Sequence, residues 1–475
     1  MPFWNASGDS KKVIGRPQNG DPYTKSQERI MTLRLPIPPI LPLVPLGVFL
    51  LLYQAASHSL AATEFQLKAT SGDFARTDAV VKMIVGFEPN ATNPNSPDLP
   101  KLDSGSRKAW TLKRADQPSL PPVVVEVEPL PKSSGWQLTW VEAGQWPAGQ
   151  ERQWILKTEP PTDFKSPWSW KSASDGQLEL HHSKKGLVFR YNQKPVNQPG
   201  LPPTQLRGAY IHPFMTPSGK LATGDFSPFH THHRGFFLAY AKTKVDTLAP
   251  DFWNIHAGTA KIVANADHVQ TIAGPVTASL KTHHDWQLRD KSKPGEDSGK
   301  TVLEESWTID VYDVPNQPAW IWDLTSTQTP LGQDLEIVKH RYGGMAYRGP
   351  EPFVKGKLDV LTSEGHNHRT KADQKPAKWF DLTGPVANGS ETYVGAVMCD
   401  HPSNIRFPNV VRIHPVTLPF FSFVPAYNEN LKLKAGQGTT WKYRTMVHDG
   451  RPDQQRDEAL FQDFSTPVKV EFKSR

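Results

Sequence analysis

Three imidazoles and a guanidinium fall within five consecutive residues, His230-Thr231-His232-His233-Arg234, with Gly235 directly after them. Histidine has an ordinary pKa of ~6.5, so near neutral pH it can take a proton, give one, or bind a metal through a neutral nitrogen. An arginine beside it can hold a carboxylate or stabilise negative charge as it develops. If the segment is extended, alternation sets His230, His232 and Arg234 on one face and Thr231 with His233 on the other. A His-x-His pair on one strand face can supply two ligands to a divalent metal ion. That makes His230 and His232 a candidate metal pair, with the third ligand to come from His212, Asp225, Glu336, His340 or His401. The competing chemistry needs no metal: His230, His232, His233 and His340 act as general acids or bases while Arg234 holds substrate oxygens. A structural reading also stands, in which these histidines hydrogen-bond to backbone at the start of the apolar run Phe236 to Tyr240.

Other clusters surround this one in sequence. Tyr210-Ile211-His212-Pro213-Phe214 precedes it and Asp251-Phe252-Trp253-Asn254 follows, so His212 and Trp253 are candidate substrate contacts. Val338 to Arg348 joins the pair His340-Arg341 to Gly343-Gly344 and to Arg348. Its glycines permit close backbone approach, and Tyr342 and Tyr347 suit stacking on a sugar ring, unless the segment is simply a hairpin turn. Asp400-His401-Pro402-Ser403-Asn404 follows an apolar strand, which is where a rigid scaffold displays binding groups, although the same residues are ordinary turn formers. Tyr342, Arg348, Asp400 and His401 are therefore further substrate-binding candidates. His366-Asn367-His368 repeats the His-x-His spacing among hydrophilic neighbours and reads as a surface loop, as does His283-His284.

The elements that must position these groups are strands. The chain has 15 Trp, 22 Phe and 11 Tyr together with 45 Pro and 33 Gly, and it lacks sustained helical periodicity. Such a composition predicts many short strands joined by tight turns. Runs such as Ala79 to Val85, Val123 to Val127, Gly135 to Trp140 and Gln153 to Leu156 predict a small β-sandwich over residues 63–177. Later runs, including Glu304 to Val311, Ala319 to Thr327, Thr392 to Met398 and Thr440 to Val447, predict a large antiparallel β-sandwich over 178–475. Only Asp453 to Phe464 reads as a helix, with Asp453 as its N-cap. The single cysteine, Cys399, lies in an apolar strand and reads as a buried hydrophobe, leaving no internal disulfide and no thiolate zinc site. The net charge of +7 is spread out, without a basic stripe, so nucleic acid is not an expected partner.

Residues 1–62 read as a leader and signal peptide. From Met31 a charged start is followed by an apolar run ending in Leu50-Leu51-Leu52 and by the small residues Ser59-Leu60-Ala61-Ala62. Met31 is the expected true start. The mature chain is expected to be exported, periplasmic or secreted, touching a membrane only through that segment.

On Tyr210 to Phe214, His230 to Gly235, Asp251 to Trp253, Tyr342 to Arg348, Asp400 to Asn404 and Val447 to Gly450, the chain resembles a family of bacterial exported proteins known by the name methane oxygenase PmoA. A methane monooxygenase subunit needs spanning helices of ~20 apolar residues, and the sequence after residue 62 holds none, so methane oxidation is not expected. The resemblance implies instead an all-β fold similar to the galactose-mutarotase-like supersandwich, whose concave face handles sugars through His, Arg and acidic residues. The expectation is an exported carbohydrate-active enzyme, a hydrolase, lyase or epimerase, with a carbohydrate or other polar small molecule as partner and a divalent metal as an optional cofactor. The alternative is a non-catalytic glycan-binding or cell-envelope protein.

Overall fold

In the strand Glu64–Thr70, Phe65, Leu67 and Ala69 are buried while their neighbours turn outward, the two-residue alternation of a sheet with one covered face. The computed structural model describes residues 64–85, 106–130, 135–227, 230–289, 299–355, 358–414 and 416–473, so the expected leader and signal peptide lie outside the described residues. Glu64–Thr70 belongs to a seven-stranded antiparallel sheet with Arg76–Val85, Lys108–Arg114, Val123–Pro129, Trp136–Trp146 and Glu151–Lys157. All six strands send side chains into one core built around Trp110, Trp136, Trp140, Trp146 and Trp154, which requires the sheet to curl over on itself. The seventh strand is the C-terminal Val470–Lys473, paired with Glu64–Thr70. The sequence boundary at residue 177 falls inside a hairpin, between Trp168–Ser172 and Leu178–His182.

Two larger antiparallel sheets, of nine and eight strands, make up most of the remainder. They pack face to face through aromatic pairs: Trp168 on Trp320 (5.6 Å), Phe236 on Trp322 (5.1 Å), Phe380 on Phe421 (4.5 Å) and Phe423 on Tyr443 (6.0 Å). Each fully buried ring of this size contributes ~1.5–3 kcal/mol or more, so this shared core dominates the stability. The buried carboxylate of Glu305, caught between the sheets, is well satisfied. Buried Glu305 accepts from Trp286 Nε1 (3.0 Å), Ser326 Oγ (2.6 Å) and Gln328 Nε2 (3.0 Å), and it hydrogen-bonds His284 Nδ1 (3.1 Å). The fold is thus all-β and antiparallel with sandwich packing, as the composition predicts, and among the described residues its α-helices are three and short. His283 and His284 are not in a surface loop. They lie in the strand Thr277–Leu288, where alternation turns His284 into the core.

The outer face of the eight-stranded sheet is covered too. Tyr312, Ile321, Val397, Cys399 and Met446 pack there with Leu460, Phe461 and Phe464 of the helix Gln454–Ser465, so both faces of Tyr393–Asp400 are buried and its sequence is almost continuously apolar. Asp453 caps the helix, its side chain accepting from the Arg456 amide (2.9 Å). Arg456 then bridges two buried carboxyl groups, those of Asp381 (2.9 Å) and Asp457 (2.7 Å). Burial and the Asp381 charge push the Asp457 carboxyl from 3.8 up to about 8. Between those values the folded chain holds more protons than the unfolded one, so the site's contribution is complete at low pH and is lost as pH rises toward 8. Asp457→Asn is therefore expected to raise the melting temperature at pH 8, with the gain shrinking as pH falls toward 4. Thermal melts across that range check this, and a difference independent of pH would contradict it.

Candidate functional site

The segment His230–Arg234 leaves the large sheet. Among the described residues it pairs only with Asp225–Ser227, in a register that shifts between Asp225 and Ser227, and Phe226 has a left-handed φ of 49°. The next residue, Gly235, passes so close to Ile211 that a Cβ there would sit 2.0 Å from its carbonyl oxygen, and the chain then rejoins the nine-stranded sheet as Phe236–Tyr240. Released from a regular ladder, the three histidines do not alternate. The expected split of His230, His232 and Arg234 from His233 fails, because the rings of His230, His232 and His233 lie together at centroid separations of 5.7, 5.1 and 4.5 Å. Arg234 is the residue that turns away.

The three rings line one cavity of about 200 Å³. Trp253, Tyr342 and Phe420 form its aromatic side, and Asn254, Arg341, Arg412 and His414 complete the wall. His233 is held tightly, stacked on Phe420 (4.5 Å) and edge-on to Trp253 (5.9 Å). Trp253 is 1% exposed, so it shapes the wall and offers no open platform. Asp251 fixes that corner by accepting from the amides of Trp253 (3.0 Å) and Asn254 (2.7 Å). A model of a family of unknown function, DUF6807, matches residues 177–462. The chain belongs to that family. No curated protein matches it. Every residue of the cavity lies within the DUF6807 region, whereas the strands Glu64–Thr70 through Glu151–Lys157 lie outside it.

Among the described residues none of the three clustered histidines in this DUF6807 member makes a hydrogen bond, and the Nδ1 atoms of His230 and His233 are buried without a partner. That runs against the structural reading for these three, since most buried structural histidines find a hydrogen-bond partner. Burial, then neighbouring imidazoles and arginines, lowers the His232 pKa to about 3 and that of His233 well below the ordinary value. Burial and Arg348 lower His230, and burial with Arg412 takes His414 to about 4. Burial and the surrounding positive charge therefore favour the neutral form of each of these imidazoles in the free protein.

Several expected members stand elsewhere. Arg234 is fully buried, paired with Asp225 (3.1 Å), donating to the Gln205 carbonyl (3.0 Å) and lying 3.7 Å over the Phe226 ring, so it braces the segment and does not line the cavity. His212 is hydrogen-bonded through Nδ1 to Thr223 Oγ1 (2.9 Å). His340 packs edge-on against Tyr342 (4.3 Å), beside the cavity and not in its wall. Arg348 is fully buried against Glu351 (2.6 Å), close enough to influence His230 and His233 but without lining the space. Tyr347 is core, and Gly344 serves the close approach of the Phe423 carbonyl instead of a ligand.

Asp400 and His401 do not join the site. The Asp400 carboxylate, its pKa raised to about 6 by burial, accepts from Asn404 Nδ2 (2.7 Å) and from the Asn409 amide and Nδ2 (both 2.9 Å). His401 bonds Ser403 Oγ (2.7 Å) and packs on Phe464 (4.8 Å), as a turn braced by the C-terminal helix. The metal expectation also loses its third ligand: among the described residues no three His, Cys, Asp or Glu side chains are grouped to hold an ion. Asp225 is committed to Arg234 and Glu336 to Asn430 (2.9 Å). Sequence reasoning missed Asn254, Arg412, His414, Phe420 and His256, the last 5.4 Å from His232. Only Asn254 and His256, next to the Asp251-Phe252-Trp253 motif, carried a local signal.

Proposed function

We propose that this protein is an exported carbohydrate-active enzyme of the proton-transfer kind, a lyase or epimerase, in a galactose-mutarotase-like setting. The observation that carries the reading is the trio His230, His232 and His233, neutral, without hydrogen-bond partners and facing one cavity with an aromatic side. A neutral imidazole with a free nitrogen is a proton acceptor, and a second beside it can return the proton. Hydrolysis by paired carboxylates is disfavoured, because the residues lining the cavity include no Asp or Glu. A volume near 200 Å³ suits one sugar ring, being below the ~300–1,000 Å³ of larger ligand sites. Export rests on the signal-like pattern of residues 31–62. The glycan-binding alternative would be favoured by an exposed aromatic platform and unperturbed histidines, and neither is found at this cavity.

The test is a panel of monosaccharides and oligosaccharides incubated with the protein in D2O and followed by proton NMR. Deuterium incorporation at a ring carbon, inversion at that carbon, or a new unsaturated product is the expected result for at least one sugar. Binding without any of these across the panel would make the protein a glycan-binding module.

A further inference from the structure

The surroundings of the histidine cavity hold more positive charge than they neutralise. Arg412 is paired with Asp373 (2.6 Å) and Arg348 with Glu351 (2.6 Å). Three other arginines have no carboxylate partner among the described residues. Arg341, exposed on the cavity wall, has neither a hydrogen bond nor an ion pair among the described residues. Arg369 donates only to the backbone carbonyls of His414 (2.8 Å), Leu418 (2.7 Å) and Thr417 (3.4 Å). Arg207 is 3% exposed and lies over the Phe237 ring at 5.2 Å, with both terminal nitrogens unpartnered. Phe237 packs on two residues of the cavity wall, Trp253 (4.8 Å) and His233 (6.3 Å). Arg348 Nη1 is a further buried donor without an acceptor.

Of the two guanidinium groups on the cavity wall, Arg412 has its carboxylate and Arg341 has none among the described residues, and the wall supplies no anion of its own. A bound ligand can supply one. We infer that the ligand of this cavity is a sugar bearing one carboxylate, a hexuronic acid, with that carboxylate seated on Arg341. The inference rests on the sugar-active reading above and narrows its substrate class. A planar carboxylate matches the fork of a single free guanidinium, and the cavity has room for about one ring. A negative charge set among the imidazoles would also raise their proton affinity from its depressed value in the free protein, toward the range in which a general base works well.

Isothermal titration of the full protein with D-glucuronate, D-galacturonate, D-glucose and glucose 6-sulfate, repeated on Arg341→Gln and Arg341→Lys, tests this. Arg341 is exposed and unpaired, so neither substitution should disturb folding. One of the uronates should bind about tenfold or more tighter than glucose. That advantage should vanish in Arg341→Gln and survive in part in Arg341→Lys. Equal affinity for uronate and glucose, an advantage unchanged in Arg341→Gln, or tighter binding of glucose 6-sulfate than of either uronate would overturn the assignment. Should glucose bind and be processed without any preference for the uronates, the inference falls while the sugar-active reading stands. If no sugar of either charge binds, both fall.

Discussion

His232→Ala is expected to cut turnover of a responsive sugar by about 10²- to 10⁴-fold, the range for loss of a general acid or base, while the protein stays folded. His232 is the cleanest position for this test because among the described residues it makes no hydrogen bond, and its ring neighbours are the imidazoles of His230, His233 and His256. Its removal enlarges the cavity and strands no polar partner. His233→Ala would confuse the result, since that ring fills the space between Phe420 and Trp253 and its loss leaves a void in the core. The wild-type pH profile is the companion measurement. A general base works when neutral, and kcat/KM reports the free protein. With His232 lowered to about 3 and His414 to about 4, the acid-side plateau should hold down to about pH 4. An unperturbed histidine would already be losing activity near pH ~6.5. Full activity in His232→Ala, or an acid limb near the ordinary value, would move the chemistry off this cluster.

The legibility of the chain followed the range of the physics involved. Strand runs, the capped helix at Asp453 and the buried thiol of Cys399 depend on local alternation and capping, and each lies where the residues alone place it. The His230 to His233 cluster was legible by composition, because three imidazoles in four residues are conspicuous in any fold. Its geometry was not, since the shifted register opposite Asp225–Ser227 and the tight passage at Gly235 depend on a strand some twenty residues earlier. Asp400-His401 misled for a related reason: a loop after a buried strand can display groups or brace a helix, and only the packing of Phe464 on His401 decides which. His414 and Phe420 reach the cavity from roughly two hundred residues away with no motif to announce them. Charge balance was equally hidden, because whether an arginine has a carboxylate partner is a property of the fold.

Arg234→Ala is expected to act on stability and not on the chemical step. The guanidinium is fully buried between Asp225, the Gln205 carbonyl and the Phe226 ring, and Tyr210 Oη donates to the other Asp225 oxygen (2.8 Å). Removing it leaves Asp225 charged in a low-dielectric pocket, a change that typically costs about 3–5 kcal/mol. The hairpin that carries the histidines would loosen with it, so a drop in activity alone could be mistaken for loss of a catalytic group. Denaturant melts separate the two. If Arg234 is a brace, Arg234→Ala lowers the unfolding midpoint sharply. The double substitution Arg234→Met with Asp225→Leu, which removes both charges and restores apolar packing, then recovers a large part of the loss. A catalytic Arg234 would show the opposite pattern, an unfolding midpoint close to wild type with turnover abolished in the single and the double variant alike. The recovery of stability in the double variant is the expected outcome, because the pair sits where two neutral side chains could pack and faces away from the cavity its neighbours line.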